Sequence, residues 1–216
     1  MRFVAERTTI PVLKVYREYK YRGGLAIEMR FVEGATIYHW WNSLIYDGKQ
    51  SIMQELGSYV KQLRMLRPSK KSVVVSTHGG PCRDIRLDFP IFGPFKIMHA
   101  FHAYLYGDMP LEAAEETFRM SVAQRHRPKY RIHFTHADLA VHNILVRGGK
   151  IVAILDWGCA GWYPECWEYN KALYNVHDIP DFYQMLNEQM ICYSDEFLAE
   201  RNLWRLYDQP LDEPWV

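Results

Sequence analysis

The stretch FTHADLAVHNILVRGGKIVAILDWG, Phe134 to Gly158, gathers three oxygen-bearing side chains, Asp138, Asn143 and Asp156, around a tight turn. Two branched-aliphatic runs flank Gly148-Gly149, and a two-residue Gly-Gly loop signals a β-hairpin because its turn needs positive φ angles. Pairing about that loop sets Val146 opposite Ile151 and Asn143 opposite Ile154. Cross-strand partners share a face, and so does every second residue along a strand, which puts Asp156 on the face of Asn143 at the open end. At a diagonal separation of about 7–8 Å, two short side chains can hold one divalent ion between them. An amide and a carboxylate as oxygen ligands favour Mg2+, which leaves its other positions to water and phosphate. A nucleotide is the expected companion. Asp138, in a loop before Asn143, is the candidate base for the proton of a substrate hydroxyl.

Plainer readings exist for each residue. Asp and Asn commonly serve turns. His133, His136 and His142 with Asp138 suggest a zinc site, yet no H-E-x-x-H or related spacing is present. STHGGPCRD reads as a structural loop more readily than as an anion nest. Cys159 reads as a buried, inert thiol, because no base or cation is placed beside it by the sequence. Trp162 and Trp167 fit a core, whereas Trp157 adjoins the metal position and is the one tryptophan expected to touch ligand.

The elements that must position these groups follow from periodicity. MRFVAER reads as the end of a helix stopped by TTIP before Pro11. VLKVYREY and LAIEMRFV, joined by KYRGG, read as a hairpin. Met53, Leu56, Val60, Leu63 and Leu66 mark an amphipathic helix with Ser51 as its N-cap. Further helices are expected near Phe95–Tyr106, Leu111–Gln124, Pro164–Asn175, Asp181–Cys192 and Asp195–Leu206, with the Gly-Gly hairpin as the β element embedded in this helical body.

The 216 residues suffice for a sizeable core, and the apolar and charged fractions of 49% and 24% match a folded globular chain. A net charge of +1 gives no footprint for nucleic acid or an anionic membrane. The stretch from Asp181 onward is acidic, which reads as a solvated face before it reads as a surface for a cationic substrate. The four cysteines lack C-x-x-C spacing, no apolar run is long enough for a membrane span, and the chain start is not a signal peptide. A cytoplasmic location is expected.

HADLAVHN resembles the H-x-D-x-x-x-x-N catalytic loop, and ILDWG the D-F-G segment, of the kinase-like aminoglycoside phosphotransferase and choline kinase group. IPVLKVY, MRFVEG, GGPCRD followed by GPF, and AGWYPECWE are similar, in order, to stretches of its large fungal branch. The resemblance implies an α+β, protein-kinase-like fold: a mainly α-helical C-lobe (35–216) with an embedded β-hairpin, and a two-strand remnant of the N-lobe (1–34). It makes Asp138 the catalytic aspartate, His136 the support of its loop, and Asn143 and Asp156 the magnesium ligands. MRFVEG becomes the interlobe hinge that receives adenine, with Met29, Phe31 and Trp157 as cofactor-binding residues. Ala137 stands where the group usually has Gly, and Trp157 where it has Phe.

No G-x-G-x-x-G occurs in the chain, Lys14 does not match the group's phosphate-binding lysine, and Glu6 is not a sure match for that lysine's partner. Three functions follow as expectations. The first is an ATP- and Mg2+-dependent O-phosphotransferase acting on a small hydroxylated molecule. The second is a truncated, pseudokinase-type protein repurposed as an ATP-independent enzyme or a small-molecule-binding protein, which uses the cleft without ATP or any cofactor. The third is a noncatalytic module whose exposed interlobe face is covered by a partner or a second copy.

Overall fold

The computed structural model describes residues 1–68, 74–84, 91–109, 113, 116, 129–173 and 179–204. A short helix α1 (Arg2–Ala5) precedes an antiparallel hairpin, β1 (Val15–Tyr21) with β2 (Gly24–Met29). Its turn is Arg22-Gly23, with φ of 48° and 80°, one residue ahead of the glycine pair. Only such a left-handed pair lets a two-residue loop follow the twist of its strands. The hairpin is largely exposed on both faces, whereas Val4 and Ile10 before it are buried in the main core.

Past the hairpin, β3 (Ala35–Thr36) runs into α2 (Ile37–Trp40), a 3-10 turn at Trp41–Ser43, and α3 (Tyr46–Met65). Helix α3 buries Ile52, Met53, Leu56, Val60 and Leu63, the three- and four-residue spacing of one helical face. The expected N-cap at Ser51 is wrong: the helix begins at Tyr46, and Ser51 is an exposed interior position. Asp47 in the first turn complements the helix dipole, and Lys49 and Gln50 are good helix formers, so the helix extends back past Ser51.

The body holds more β structure than one hairpin. β4 (Val75–Ser76), β5 (Cys82–Arg83) and β6 (Ile91–Phe92) precede α4 (Met98–Leu105). β7 (Ile132–Thr135), β8 (Ile144–Arg147), β9 (Lys150–Ile154) and β10 (Gly161–Pro164) follow. The sheets run β4-β10-β7, β3-β8-β9 and β5-β6. α4 starts at Met98 and not at Phe95, because Phe95 exchanges backbone hydrogen bonds with Val74. Pro164 belongs to β10, so the next helix, α5, is shortened to Trp167–Ala172. α6 (Pro180–Gln189) and α7 (Ser194–Trp204) lie where helices were expected. The helix expected over Leu111–Gln124 lies outside the described residues apart from Ala113 and Glu116.

The Gly-Gly hairpin forms with Val146 opposite Ile151, but its register then shifts. Val152 is an extra residue, a bulge, so Ile144 and not Asn143 faces Ile154. Asn143 meets Leu155 instead, its carbonyl accepting from the Leu155 amide at 2.8 Å. The expected pairing of Asn143 with Ile154 is therefore corrected, and strand alternation no longer explains how Asp156 reaches Asn143.

One cluster, centred on α3, β8, β9 and α6, joins Leu56, Val60, Ile144, Ile154 and Phe182. A second joins Phe92, Phe101, Tyr163 and Trp167 across α4, β10 and α5. Trp41 and Lys49 both bond Asp181, at 2.9 and 2.6 Å, and tie α6 to the start of α3. No helix among the described residues is long and apolar enough to cross a membrane.

Candidate active site

Asp138 sits on the loop leaving β7, at 6% exposure. The Asn143 Nδ2 donates to its main-chain carbonyl at 2.9 Å and to its carboxylate Oδ2 at 2.8 Å. One side chain thus closes the loop and takes one carboxylate oxygen, leaving Oδ1 for another partner. Burial pushes the Asp138 carboxyl up from its ordinary range, the charges of His142 and Lys171 and the Asn143 hydrogen bond oppose this, and Asp156 adds to it.

His136 is fully buried, and both ring nitrogens are engaged. Nε2 donates to the Leu155 carbonyl at 2.8 Å, and Nδ1 accepts from the Asp138 amide at 3.2 Å. Burial depresses its pKa to about 4, so the ring is a neutral strut between the loop and the end of β9. The Trp157 ring packs edge-on against it at 4.5 Å. The histidine cluster does not make a zinc site: among the described residues no three His, Cys, Asp or Glu side chains are grouped to hold a metal, and both His136 nitrogens are already engaged.

Asp156 reaches the site by leaving the strand. Its backbone is left-handed, φ 50° and ψ 68°, and its Oδ1 accepts from the Gly158 amide at 3.3 Å while the side chain stays exposed. Asp and Asn tolerate this conformation better than other side chains. Asn143 spends its Nδ2 on Asp138, so its Oδ1 is the atom left to bind a cation. Were a cation bound here, that amide oxygen and the Asp156 carboxylate would offer it oxygen ligands only, the chemistry that Mg2+ takes.

Met29 ends β2 and Phe31 lies two residues beyond, at 38% and 88% exposure. They take no part in the hydrogen-bonded group around Asp138. Trp157 is buried and donates to the Ile154 carbonyl at 2.9 Å. Trp162 and Trp167 lie in the two cores. Burial pushes the Cys159 thiol up to about 12, as an inert cysteine requires.

Residues 1–199 match the model of the phosphotransferase enzyme family. The chain belongs to this family. The fold agrees: a thermostable mutant of aminoglycoside phosphotransferase APH(4)-Ia, in ternary complex with ADP and hygromycin B, matches with a TM-score of 0.65 at 14% identity. That match covers 95% of this chain and 72% of the other. The streptomycin-ATP-APH(2")-IIa ternary complex matches with a TM-score of 0.58 at 15% identity, over 94% and 67% of the two chains. At these identities the likeness speaks for the kinase-like fold. No curated protein sequence matches.

Two buried charged residues of this phosphotransferase-family chain do not stand out in the sequence. The Glu168 carboxylate on α5 accepts from the His136 amide at 2.6 Å and the Ala137 amide at 3.1 Å. It anchors the loop at the residue where Ala137 takes a φ of 63°. Burial raises Glu168 to about 7 against the pull of those two amides. One helical turn on, Lys171 pairs with Asp84 of the GGPCRD stretch, both side chains 1% exposed. The available signal was two charged residues three apart in the apolar run WYPECWEYNKAL.

Proposed function

We propose that this chain carries the catalytic lobe of an ATP- and magnesium-dependent O-phosphotransferase for a small hydroxylated molecule. The supporting observation is the buried Asp138 carboxylate, held through Oδ2 by Asn143 with Oδ1 left for a hydroxyl proton. Burial makes this carboxylate a better base than a solvated one. Asn143 Oδ1 and Asp156 would hold Mg2+, and Mg2+ with ATP would supply a phosphoryl group with its charge partly neutralised. As the substrate hydroxyl oxygen bonds to phosphorus, the bond to the ADP oxygen breaks and the hydroxyl proton passes to Asp138. His136 and Glu168 fix the loop, which matters because this chemistry depends chiefly on positioning. Residues 1–34 carry the exposed hairpin and proposed hinge, with Met29, Phe31 and Trp157 on the nucleotide side; residues 35–216 carry the chemistry.

A second reading, a small-molecule or partner-binding module that does not use ATP, is supported by the lack of a G-x-G-x-x-G run. Calorimetric titration with ATP separates the two. Saturable binding that requires Mg2+ and is lost in Asp156→Ala supports the phosphotransferase. Absence of binding at millimolar ATP sinks it and leaves the binding module.

A further inference from the structure

A cavity of about 490 Å3 lies between the segment Glu33–Leu44, helix α3 and the turn of the β8–β9 hairpin. Trp40, Leu44, Ile52 and Val146 line it, with the Gly148-Gly149 turn at one end. None of Asp138, Asn143 or Asp156 is among its lining residues. Ile52 and Val146 are buried, so the floor is firm, whereas the Trp40 ring is 50% exposed and forms an open wall. At Gly34 the connector crosses β8 closely: a Cβ there would stand 3.1 Å from the Val146 carbonyl and from a Val152 methyl. At the Gly-Gly turn an added Cβ would meet nothing, so that end is open. This volume and lining match a pocket for a small molecule with an apolar body.

The rim sets the charge of the ligand. Arg147 and Glu33 meet there at 3.2 Å with side chains 59% and 81% exposed. An ion pair so exposed is weak, so its guanidinium can be surrendered to a ligand at little cost. Of the residues that line the cavity, Arg147 is the cation that an anionic group of a ligand can meet. The planar fork of Arg147 suits a carboxylate or sulfonate, and the Trp40 indole offers a face to a flat ring.

The geometry points to a second ligand site here, between Trp40 and the β8–β9 turn, for a flat aromatic or apolar small molecule carrying one anionic group. Its lining includes Glu33 and Gly34, the end of the MRFVEG segment proposed as the hinge, while the side chains proposed for catalysis lie outside it. It adjoins that chemistry through β8, whose Val146 lines the cavity and whose start follows directly on Asn143.

The probe is 1-anilinonaphthalene-8-sulfonate, titrated into the full chain without nucleotide or metal and followed by its fluorescence. Saturable binding of one probe per chain is expected. Arg147→Glu and Trp40→Ala should each raise Kd at least fivefold, with the far-UV circular dichroism melt of Arg147→Glu unchanged. The uncharged analogue N-phenyl-1-naphthylamine should bind at least fivefold more weakly than the sulfonate. The exposed β1–β2 hairpin could attract the probe too, so binding that neither substitution alters overturns the proposal. Non-saturable fluorescence, or equal affinity for the two probes, overturns it as well.

Discussion

Ala137 holds a φ of 63° beside the candidate base, in a conformation that costs an L-residue about 1–2 kcal/mol. Glycine relieves the strain and gives back part of the gain in unfolded-state entropy. The Ala137 methyl is also buried and its loss costs about 0.8 kcal/mol, so gain and losses nearly cancel and Ala137→Gly should shift Tm by less than about 2 °C. A calorimetric scan that shows a larger fall in Tm would mean that the loop has no strain to release. Asp138→Asn keeps the size and the contact with Asn143 but removes the base. Turnover in a phosphoryl-transfer assay should fall by about 10^2–10^4-fold with little change in Tm. Glu168 and His136, both fully buried, carry opposite pH dependences. The folded pKa of Glu168, about 7, lies above its reference of 4.5, so its contribution is complete below about 4.5 and is lost as pH rises through about 7. His136 is lowered from 6.5 to about 4, so stability is gained as pH rises across that interval. The two largely offset each other between pH 5 and 7. Glu168→Gln removes the falling contribution, so its Tm should climb more steeply than that of the parent from pH 5 to 7. Parallel profiles would show that Glu168 does not titrate in this window.

Among the elements, β10 is where close approach matters most. Gly161 pairs with Ser76 on β4 and Thr135 on β7, and an added Cβ would stand 2.6 Å from the Val75 carbonyl. Gly161→Ala must push β4 away from β10, a backbone displacement that should cost about 1–3 kcal/mol in urea unfolding. An unchanged midpoint would mean that β4 is held loosely. β10 also leads directly to α5, and through α5 to Glu168 and Lys171. Removing one partner of the buried Lys171–Asp84 pair, as in Lys171→Ala, should cost about 3–5 kcal/mol, because a buried carboxylate loses the ammonium bonded to it. Denaturant unfolding reads that loss directly, and a loss below 1 kcal/mol would show that water reaches Asp84.

For the whole molecule, the described residues of the body gather into three apolar clusters, while the β1–β2 hairpin carries exposed Leu25, Ile27 and Met29 outside them. Such positions add little to stability, so Leu25→Lys or Ile27→Lys should shift the urea midpoint by less than the equivalent of about 0.5 kcal/mol. A larger loss would mean that this face is covered in solution, and mass measurement of both forms would then identify a second copy.

What could be read in the sequence was local. Gly23-Gly24 and Gly148-Gly149 marked two hairpins because their turns need positive φ, and the spacing along α3 marked a helix because one face had to be apolar. The H-A-D and N residues and the D-W-G run carried the family, so Asp138, Asn143 and Asp156 stand out from residue type and spacing alone. The structure decided what depends on partners distant in the chain. The bulge at Val152 arises from how β8 and β9 pack, and it moved Asn143 away from Ile154. Two-residue strands such as β4 and β5 carry no periodicity of their own. The Glu168 clamp joins residues 32 apart and the Lys171–Asp84 pair residues 87 apart. Burial turned these charged side chains from expected surface groups into the supports of the candidate catalytic loop and its helix, and burial is a property of the assembled core, not of any one segment.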